Sequence, residues 1–522
     1  MILLALLLGA ATTLAFAPFS LWPLQILTLA WLIRTVLLTG HAGHAHPLRD
    51  SAWVGWAYGT GGIACGMHWL YFSMHTYGGM PGWMAALAVA LLAAFLGLFT
   101  AAAMVLASWL RQRWQTSDKA MALLMLPAVW LLSEWLRGWL LTGLPWISSG
   151  YAHSVSPLAG FAPLLGVYGV GGIAALMAGA LALLTLPGKS KTLPAFLILG
   201  LLVGGVLLRL VPWTAPQGQP ITVRLLQGNI TPDIKYTDEG MRATLNTYAD
   251  MIRDQPADLI ATPETAIPLV QQQLPPDFLP NLRTFAQQSD SHLALGMVFS
   301  DAPQEYSNSV LGISPDPTAI QPYRYDKHHL VPFGEFVPTG FRWFIDLMNI
   351  PLGDLTRGTR QQAPFAVRNQ WILPNICYED LFGEEIAGSL AAARRDGAPQ
   401  ASILLNMSDI AWFGNSIAIP QHLQISQMRA LETGRPMLRA TNTGATAVID
   451  PKGRILAQLT PSMRGVLSAT VQGYGGQTPY LLAGNLPAVL LALLMLLLCW
   501  RQYRRSQQPS QGHDSHTISK TR

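Results

Sequence analysis

Apolar stretches fill the first 220 residues, and each is close to the ~20 residues that a helix needs to cross a bilayer core. They predict seven spans, at roughly 2–18, 22–40, 52–73, 83–110, 119–140, 160–186 and 193–211. A polar region follows, and then an eighth apolar stretch at 482–500, which ends in the basic sequence RQYRR. We therefore predict a membrane part over 1–215, a last membrane helix over 480–500 and a cytoplasmic basic and polar tail over 501–522, expected to be disordered after Arg505.

The first stretch also has one feature of a signal peptide, the small-x-small sequence AFAP. It has no basic start, and Pro18 would follow the cut. We therefore expect a retained helix rather than a cleaved leader.

Residues 220–472 alternate short β-rich runs, such as ITVRLLQGNI, QWILPNICYED and ASILLNMSD, with amphipathic helical patterns. The clearest helix is QHLQISQMRALETG, 421–434, which has apolar residues at helical spacing and stops at a glycine. This alternation predicts one α/β domain in which helices cover sheets.

Composition supports this division, because 51% of residues are hydrophobic and only 12% are charged. The net charge of +5 does not indicate nucleic-acid binding, since the basic residues gather in alternate loops of the membrane part. That asymmetry places both termini in the cytoplasm and the domain of 220–472 outside it. We expect a multi-pass protein of the bacterial inner membrane with a periplasmic domain.

The chain has three cysteines, and Cys377 is alone in the polar domain. Three predicted strand ends in that domain finish in reactive side chains: Glu264 in LIATPETAIP, Lys327 and then Glu335 in YRYDKHHLVPFGEF, and Cys377 in ILPNICYED. Each residue alone has an ordinary structural interpretation, as a small core residue, a helix cap or a surface charge. Together they supply a thiol nucleophile, a carboxylate base and a cation for a developing oxyanion. A helix beginning after Cys377 would add backbone N–H groups.

These segments resemble the Glu–Lys–Cys triad of the nitrilase superfamily. The predicted spans, the context HLVPFGEFVP and the stretch SEWLRGWLLTGLPW at 133–146 resemble the apolipoprotein N-acyltransferases, its membrane-embedded branch. The resemblance extends to about residue 500. It implies a membrane helical bundle that carries a nitrilase-like αββα sandwich, with no cofactor and no metal.

The resemblance also implies a ping-pong reaction. A phospholipid donates a fatty acyl chain, a cysteine thioester carries it, and the α-amino group of an S-diacylglyceryl-cysteine apolipoprotein accepts it. Cys377 would be the nucleophile, Glu264 the general base and Lys327 the oxyanion stabiliser. The matching supporting positions are Glu335, Tyr378 and Glu379.

Three aromatic residues are candidates for contact with lipid. Tyr236 stands where the family usually has a tryptophan at the lipid entrance. Trp412 and Phe413, in IAWFG, either form a loop that enters lipid or belong to the core, and the sequence leaves both interpretations open.

Two other functions are weighed. A membrane-anchored amidase or hydrolase would use the same triad, but it needs one anchor rather than eight spans. A transporter with a ligand-binding domain would need paired polar residues deep in the spans or an internal repeat.

The histidines of HAGHAH, 41–46, have no further ligands nearby and do not predict a metal site. We expect a monomer.

Overall fold

The computed structural model describes residues 1–40, 45–187, 190–319, 321–342 and 354–506. Its N-terminal part is helical. The principal helices are α1 Ile2–Ala11, α2 Pro23–Thr39, α3 Pro47–Gly66, α4 Gly82–Trp114, α5 Leu126–Arg137, α6 Ala162–Leu184 and α7 Thr192–Leu208. They follow the predicted apolar stretches. The predicted disordered tail after Arg505 falls almost wholly outside the described residues.

Within the described ranges, four helices are long and apolar enough to cross a membrane: Gly82–Trp114, Asp118–Arg137, Pro157–Leu184 and Leu486–Ser506. Three further apolar helices, Ile2–Ala15, Pro23–Thr39 and Thr192–Leu208, are shorter. The helical, apolar character of the N-terminal part is thus confirmed. The eight crossings and their orientation stay predictions.

Small residues allow the helices to approach closely. A Cβ atom on Gly9 of α1 would lie 2.0 Å from the carbonyl oxygen of Tyr58 in α3. A Cβ atom on Gly61 of α3 would lie 2.1 Å from the carbonyl oxygen of Leu6. Only glycine fits at these crossings, as is common where helices pack in lipid.

The polar region forms two six-stranded sheets. The first has the order β13-β2-β3-β4-β5-β6, the second has the order β12-β11-β10-β9-β8-β7, and β1 pairs with β14 in a separate ribbon. The strands are β1 Thr214–Pro216, β2 Ile221–Gln227, β3 Leu259–Ala261, β4 His292–Ala302, β5 Glu305–Ile313, β6 Tyr323–Asp326, β7 Phe365–Val367, β8 Gln370–Ile376, β9 Ile403–Ser408, β10 Met437–Thr441, β11 Ala447–Ile449, β12 Ile455–Gln458, β13 Gly465–Val471 and β14 Tyr474–Gly476.

The two sheets pack face to face with helices on their outer sides. An apolar cluster between them joins residues such as Val223 and Leu259 of the first sheet to Ile403 and Leu438 of the second. Helices α8 Asp238–Arg253 and α9 Phe278–Ser289 cover the first sheet, and α10 Gly383–Arg395 and α11 Ala418–Thr433 cover the second. The order of layers is αββα, as predicted, and α12 Leu486–Ser506 completes the described chain.

Helix α11 lies between the second sheet and the membrane helices. All its residues from Ala418 to Thr433 are buried except for the partly exposed Pro420, although its sequence predicts an amphipathic surface helix. Its apolar residues Ile425 and Met428 belong to the same core as the membrane helices. The polar side of α11 is buried because the N-terminal half covers it.

Candidate active site

Three strand ends build the site. Glu264 follows β3, Lys327 follows β6 directly, and Cys377 follows β8 directly. Cys377 has a left-handed backbone with φ of 51° and begins a 3-10 turn, Cys377–Leu381, that precedes α10. The predicted helix after Cys377 therefore starts as this short turn. A positive φ on a non-glycine residue is strained, and such strain is common at functional sites.

Lys327 and two glutamates form a buried ion cluster beside Cys377. Lys327 Nζ lies 3.0 Å from Glu264 Oε1 and 2.8 Å from Glu335 Oε1, and the lysine side chain is 1% exposed. Burial acts to lower the pKa of Lys327, but Glu264 and Glu335 outweigh it, and the pKa is raised above its usual value. The ammonium therefore stays charged and can stabilise a developing oxyanion.

Asn308, in β5, holds the two carboxylates together. Its Nδ2 donates to Glu264 Oε1 at 2.7 Å and to Glu335 Oε1 at 2.9 Å. The backbone N–H of Asp409 donates to Glu264 Oε2 at 2.9 Å, which fixes the other oxygen. Sequence reasoning missed both residues, because neither stands in a motif that indicates chemistry.

The electrostatics favour a protonated thiol at rest. Burial raises the pKa of Cys377 well above that of an ordinary thiol, and the charge of Glu264 raises it further while Lys327 opposes the rise. Because the thiolate is the attacking species, a base must take the proton when the thiol reacts. Glu264 is the carboxylate whose hydrogen bond and charge act most strongly on the thiol.

Glu379 joins the turn of Cys377 to the segment of Lys327. Its Oε2 accepts from the Ile376 N–H at 2.7 Å and from the Tyr325 hydroxyl at 2.8 Å. Its Oε1 accepts from the N–H groups of His328 at 2.7 Å and His329 at 3.2 Å. Its carboxylate thus connects the end of β6 in one sheet to the end of β8 in the other.

Tyr378 points to the membrane helices. Its hydroxyl donates to the Gly143 carbonyl at 2.8 Å, and the Tyr151 hydroxyl donates to the Leu381 carbonyl at 3.2 Å from the other side. The turn that carries the nucleophile candidate is therefore anchored directly on the N-terminal half.

The three aromatic candidates separate into two groups. Trp412 stacks on Tyr236 with ring centroids 6.0 Å apart and meets Tyr77 edge-on at 5.7 Å. Phe413 instead packs on Trp69, at 4.3 Å, in the core of the N-terminal half. Tyr236 is 49% exposed, so Tyr236 and Trp412 form an accessible aromatic surface while Phe413 is a docking contact.

The histidine-rich segment HAGHAH, 41–46, falls mostly outside the described part of the chain, which omits residues 41–44. Among the described residues, no group of three or more histidine, cysteine or acidic side chains is placed to hold a metal ion.

Comparison with known proteins agrees with both halves of the chain. A family model described as the apolipoprotein N-acyltransferase N-terminal domain matches residues 8–180, and the carbon-nitrogen hydrolase model matches residues 222–480. An apolipoprotein N-acyltransferase of Ralstonia nicotianae is 50% identical over 96% of this chain and 94% of its own length. The chain belongs to the apolipoprotein N-acyltransferase family.

Further relatives carry the same name. One from Bordetella bronchiseptica is 41% identical over 96% of each chain, and one from Nitrosomonas europaea is 43% identical over 94% of this chain and 95% of its own. The resemblance inferred from the triad segments is confirmed, and the protein is an acyltransferase. Its two halves are both characteristic of the apolipoprotein N-acyltransferases.

Proposed function

We propose that this acyltransferase moves a fatty acyl chain from a phospholipid to the α-amino group of an S-diacylglyceryl-cysteine apolipoprotein, through a thioester on Cys377. The observation that carries the proposal is the Cys377 thiol beside the Lys327–Glu264 pair, on a turn anchored to the membrane half. The relatives' printed name supports the apolipoprotein as acceptor.

In the first half-reaction, Glu264 takes the thiol proton as the sulfur attacks the ester carbonyl of the phospholipid. The carbonyl oxygen gains negative charge, which the Lys327 ammonium stabilises. The ester C–O bond then breaks, and the proton on Glu264 passes to the departing oxygen of the lysophospholipid. Cys377 is left as a thioester, and Glu264 is again a carboxylate.

In the second half-reaction, the amine of the apolipoprotein cysteine attacks the thioester carbonyl. Glu264 accepts a proton from the amine, and the sulfur leaves with that proton to restore the thiol. Glu335 and Asn308 position Lys327 and Glu264 through the ion pair and hydrogen bonds described above. Tyr378 and Glu379 are supporting residues that hold the turn of Cys377.

Both substrates carry acyl chains, so the site must be reached from the bilayer surface. The aromatic surface of Tyr236 and Trp412 is suited to contact these chains. We place the protein in the bacterial inner membrane as a monomer with both termini in the cytoplasm. The domain of 220–472 then faces the periplasm, where diacylglyceryl apolipoproteins are presented.

The direct test is acyl transfer to a synthetic peptide that starts with S-diacylglyceryl-cysteine, with phosphatidylethanolamine as donor. We expect an N-acylated peptide and lysophospholipid in equal amounts. Cys377→Ala should abolish both products, whereas Cys65→Ala, the matched control in an apolar helix, should retain them. Release of free fatty acid without peptide acylation would contradict the proposal and favour a membrane-anchored hydrolase.

A further inference from the structure

A buried histidine lies directly behind Cys377. His422, on α11, has Nε2 3.2 Å from the carbonyl oxygen of Cys377. Its Nδ1 lies 3.0 Å from Nη2 of Arg439, which lies in the middle of β10. His422 and Arg439 are 1% and 0% exposed, so neither group exchanges these partners for water.

The two contacts fix the tautomer of the ring. A guanidinium only donates hydrogen bonds, so Nδ1 must accept from Arg439 and cannot carry a proton. The single ring proton is therefore on Nε2, where it donates to the Cys377 carbonyl, which only accepts. Burial, reinforced by the charge of Arg439, lowers the pKa of His422 well below its usual value, in agreement with a neutral ring.

The same arginine ties the ring to the turn of the nucleophile. Arg439 Nη1 pairs with Asp380 Oδ2 at 3.2 Å, three residues after Cys377. Trp146, in the segment between α5 and α6, stacks on His422 with ring centroids 5.4 Å apart and planes 23° apart. Trp146 Nε1 also donates to Oε1 of the adjacent Gln421 at 2.9 Å. The imidazole is thus held by the outer domain through its nitrogens and by the membrane half through its face.

We propose that His422 is a positioning residue: as the neutral Nε2–H tautomer fixed by Arg439, with its ring held by Trp146, it donates to the carbonyl of Cys377 and thereby keeps this residue in its left-handed conformation. The inference rests on the proposed role of Cys377 as nucleophile. With φ at 51°, Cys377 needs such a restraint, because an unrestrained L-residue relaxes to negative φ. Relaxation would rotate the thiol away from Lys327 and Glu264.

A second donor limits the size of the effect. Asn406 Nδ2 also reaches the Cys377 carbonyl, at 3.3 Å, but it makes a shorter bond of 2.6 Å to Asn375 Oδ1. The loss of His422 therefore weakens the restraint without abolishing it. A hydrogen bond of ordinary net strength corresponds to a loss of about 5- to 10-fold in rate.

Two substitutions at one position separate the donor from the ring. His422→Gln keeps an amide N–H for the Cys377 carbonyl and an oxygen that accepts from Arg439. His422→Phe keeps an aromatic face for Trp146 but has no donor. Both are compared with the wild-type enzyme in the rate of Cys377 acylation by phosphatidylethanolamine, in the pH profile of Cys377 alkylation by iodoacetamide, and in thermal unfolding.

We expect His422→Phe to slow acylation by about 5- to 10-fold and His422→Gln to stay within about 3-fold of the wild type. In His422→Phe, the pH midpoint of Cys377 alkylation should fall towards the pKa of an ordinary thiol. The reason is that the side chain of Cys377, no longer restrained, moves out of its buried position near Glu264. Folded His422→Phe protein with wild-type acylation and an unchanged midpoint would overturn the inference. Equally slow acylation in His422→Phe and His422→Gln would also overturn the inference, because the effect would then come from loss of the imidazole ring and not from loss of the hydrogen-bond donor.

The alkylation profile needs no phospholipid. If the wild type forms no acyl adduct, the proposed function fails, but a midpoint that moves in His422→Phe and not in His422→Gln still supports the positioning role. An acyl adduct in the wild type with no difference among the variants overturns the positioning role alone.

Discussion

The carboxylate of Glu432, in the domain of 220–472, accepts a 2.7 Å hydrogen bond from the backbone N–H of Val167, in the N-terminal half. This N–H lies at a break in α6, where the preceding residue, Gly166, has a non-helical φ of 66° and ψ of −176°. Glu432 also pairs with Arg429 at 3.1 Å, and both side chains are fully buried. One carboxylate therefore caps a broken membrane helix and neutralises a buried arginine.

We expect Glu432→Ala to destabilise the protein by roughly 3–5 kcal/mol, because it leaves a buried arginine without its carboxylate partner and a buried N–H without its acceptor. Glu432→Gln should cost less, since its oxygen can still accept from Val167. Thermal unfolding in detergent measures both, with the exposed Glu305→Ala as the matched control. Equal unfolding temperatures for Glu432→Ala and Glu305→Ala would show that this contact does not hold the two halves together.

Glu264→Gln should change two properties of the site in opposite directions. Removal of the carboxylate charge lowers the pKa of Cys377, because Glu264 raises it and Lys327 remains. Alkylation by iodoacetamide near neutral pH should therefore become faster. Acyl transfer should fall by roughly 10²–10⁴-fold, because no base moves the protons.

Undiminished acyl transfer in folded Glu264→Gln would contradict a general-base role for Glu264, and slower alkylation would contradict the expected fall in the pKa of Cys377. The exposed Glu305→Gln provides the control for handling and detergent effects. It should leave both rates unchanged.

Asn308→Ala should reduce acyl transfer by at least about 10-fold, since hydrogen bonds to charged groups contribute about 1.5–3 kcal/mol each. The substitution removes the amide that donates to both Glu264 and Glu335, so that both carboxylates can shift around Lys327. Single-turnover acylation of Cys377 measures the effect. Asn281→Ala, on the exposed side of α9, should behave as wild type.

Trp412→Ala should weaken use of the phospholipid without changing the thiol. The ring stacks on Tyr236 and meets Tyr77 edge-on, and such pairs contribute about 0.5–1.5 kcal/mol beyond their burial. We expect the KM for phospholipid in mixed micelles to rise roughly 2- to 10-fold, in line with that energy. Alkylation of Cys377 should be unchanged.

Trp412→Phe should retain most of the affinity for phospholipid, because it keeps an aromatic face. If Trp412→Ala slows alkylation as much as it slows lipid use, the residue supports the fold of the site rather than the entry of lipid.

The sequence predicts the ends of β3 and β8 well, because Glu264 and Cys377 each follow an apolar run that is typical of a buried strand, whereas Lys327 follows the polar, half-exposed strand β6. Glu264, Lys327 and Cys377 are distant along the chain. Strands β3 and β6 belong to one sheet and β8 to the other, and the face-to-face packing of the two sheets brings the three strand ends to one place. The αββα order of layers follows from the same alternation of strands and helices.

The roles of Asn308 and His422 could not be predicted from the sequence, because they depend on contacts between residues that are distant along the chain. Asn308 is an interior residue of β5. It faces two carboxylates because the backbone N–H of Lys327 donates to its carbonyl, which places the Lys327 ion cluster beside its side chain. His422 lies on a helix whose polar side would normally face water. It acquires its contacts because the membrane half buries α11, which no local periodicity signals.

Whether Cys377 carries a thioester can be read from the intact mass of the protein after incubation with phosphatidylethanolamine alone. We expect a gain equal to one fatty acyl chain, removed by hydroxylamine and absent in Cys377→Ala. An unchanged mass for active wild-type protein, or an adduct that persists in Cys377→Ala, would contradict it.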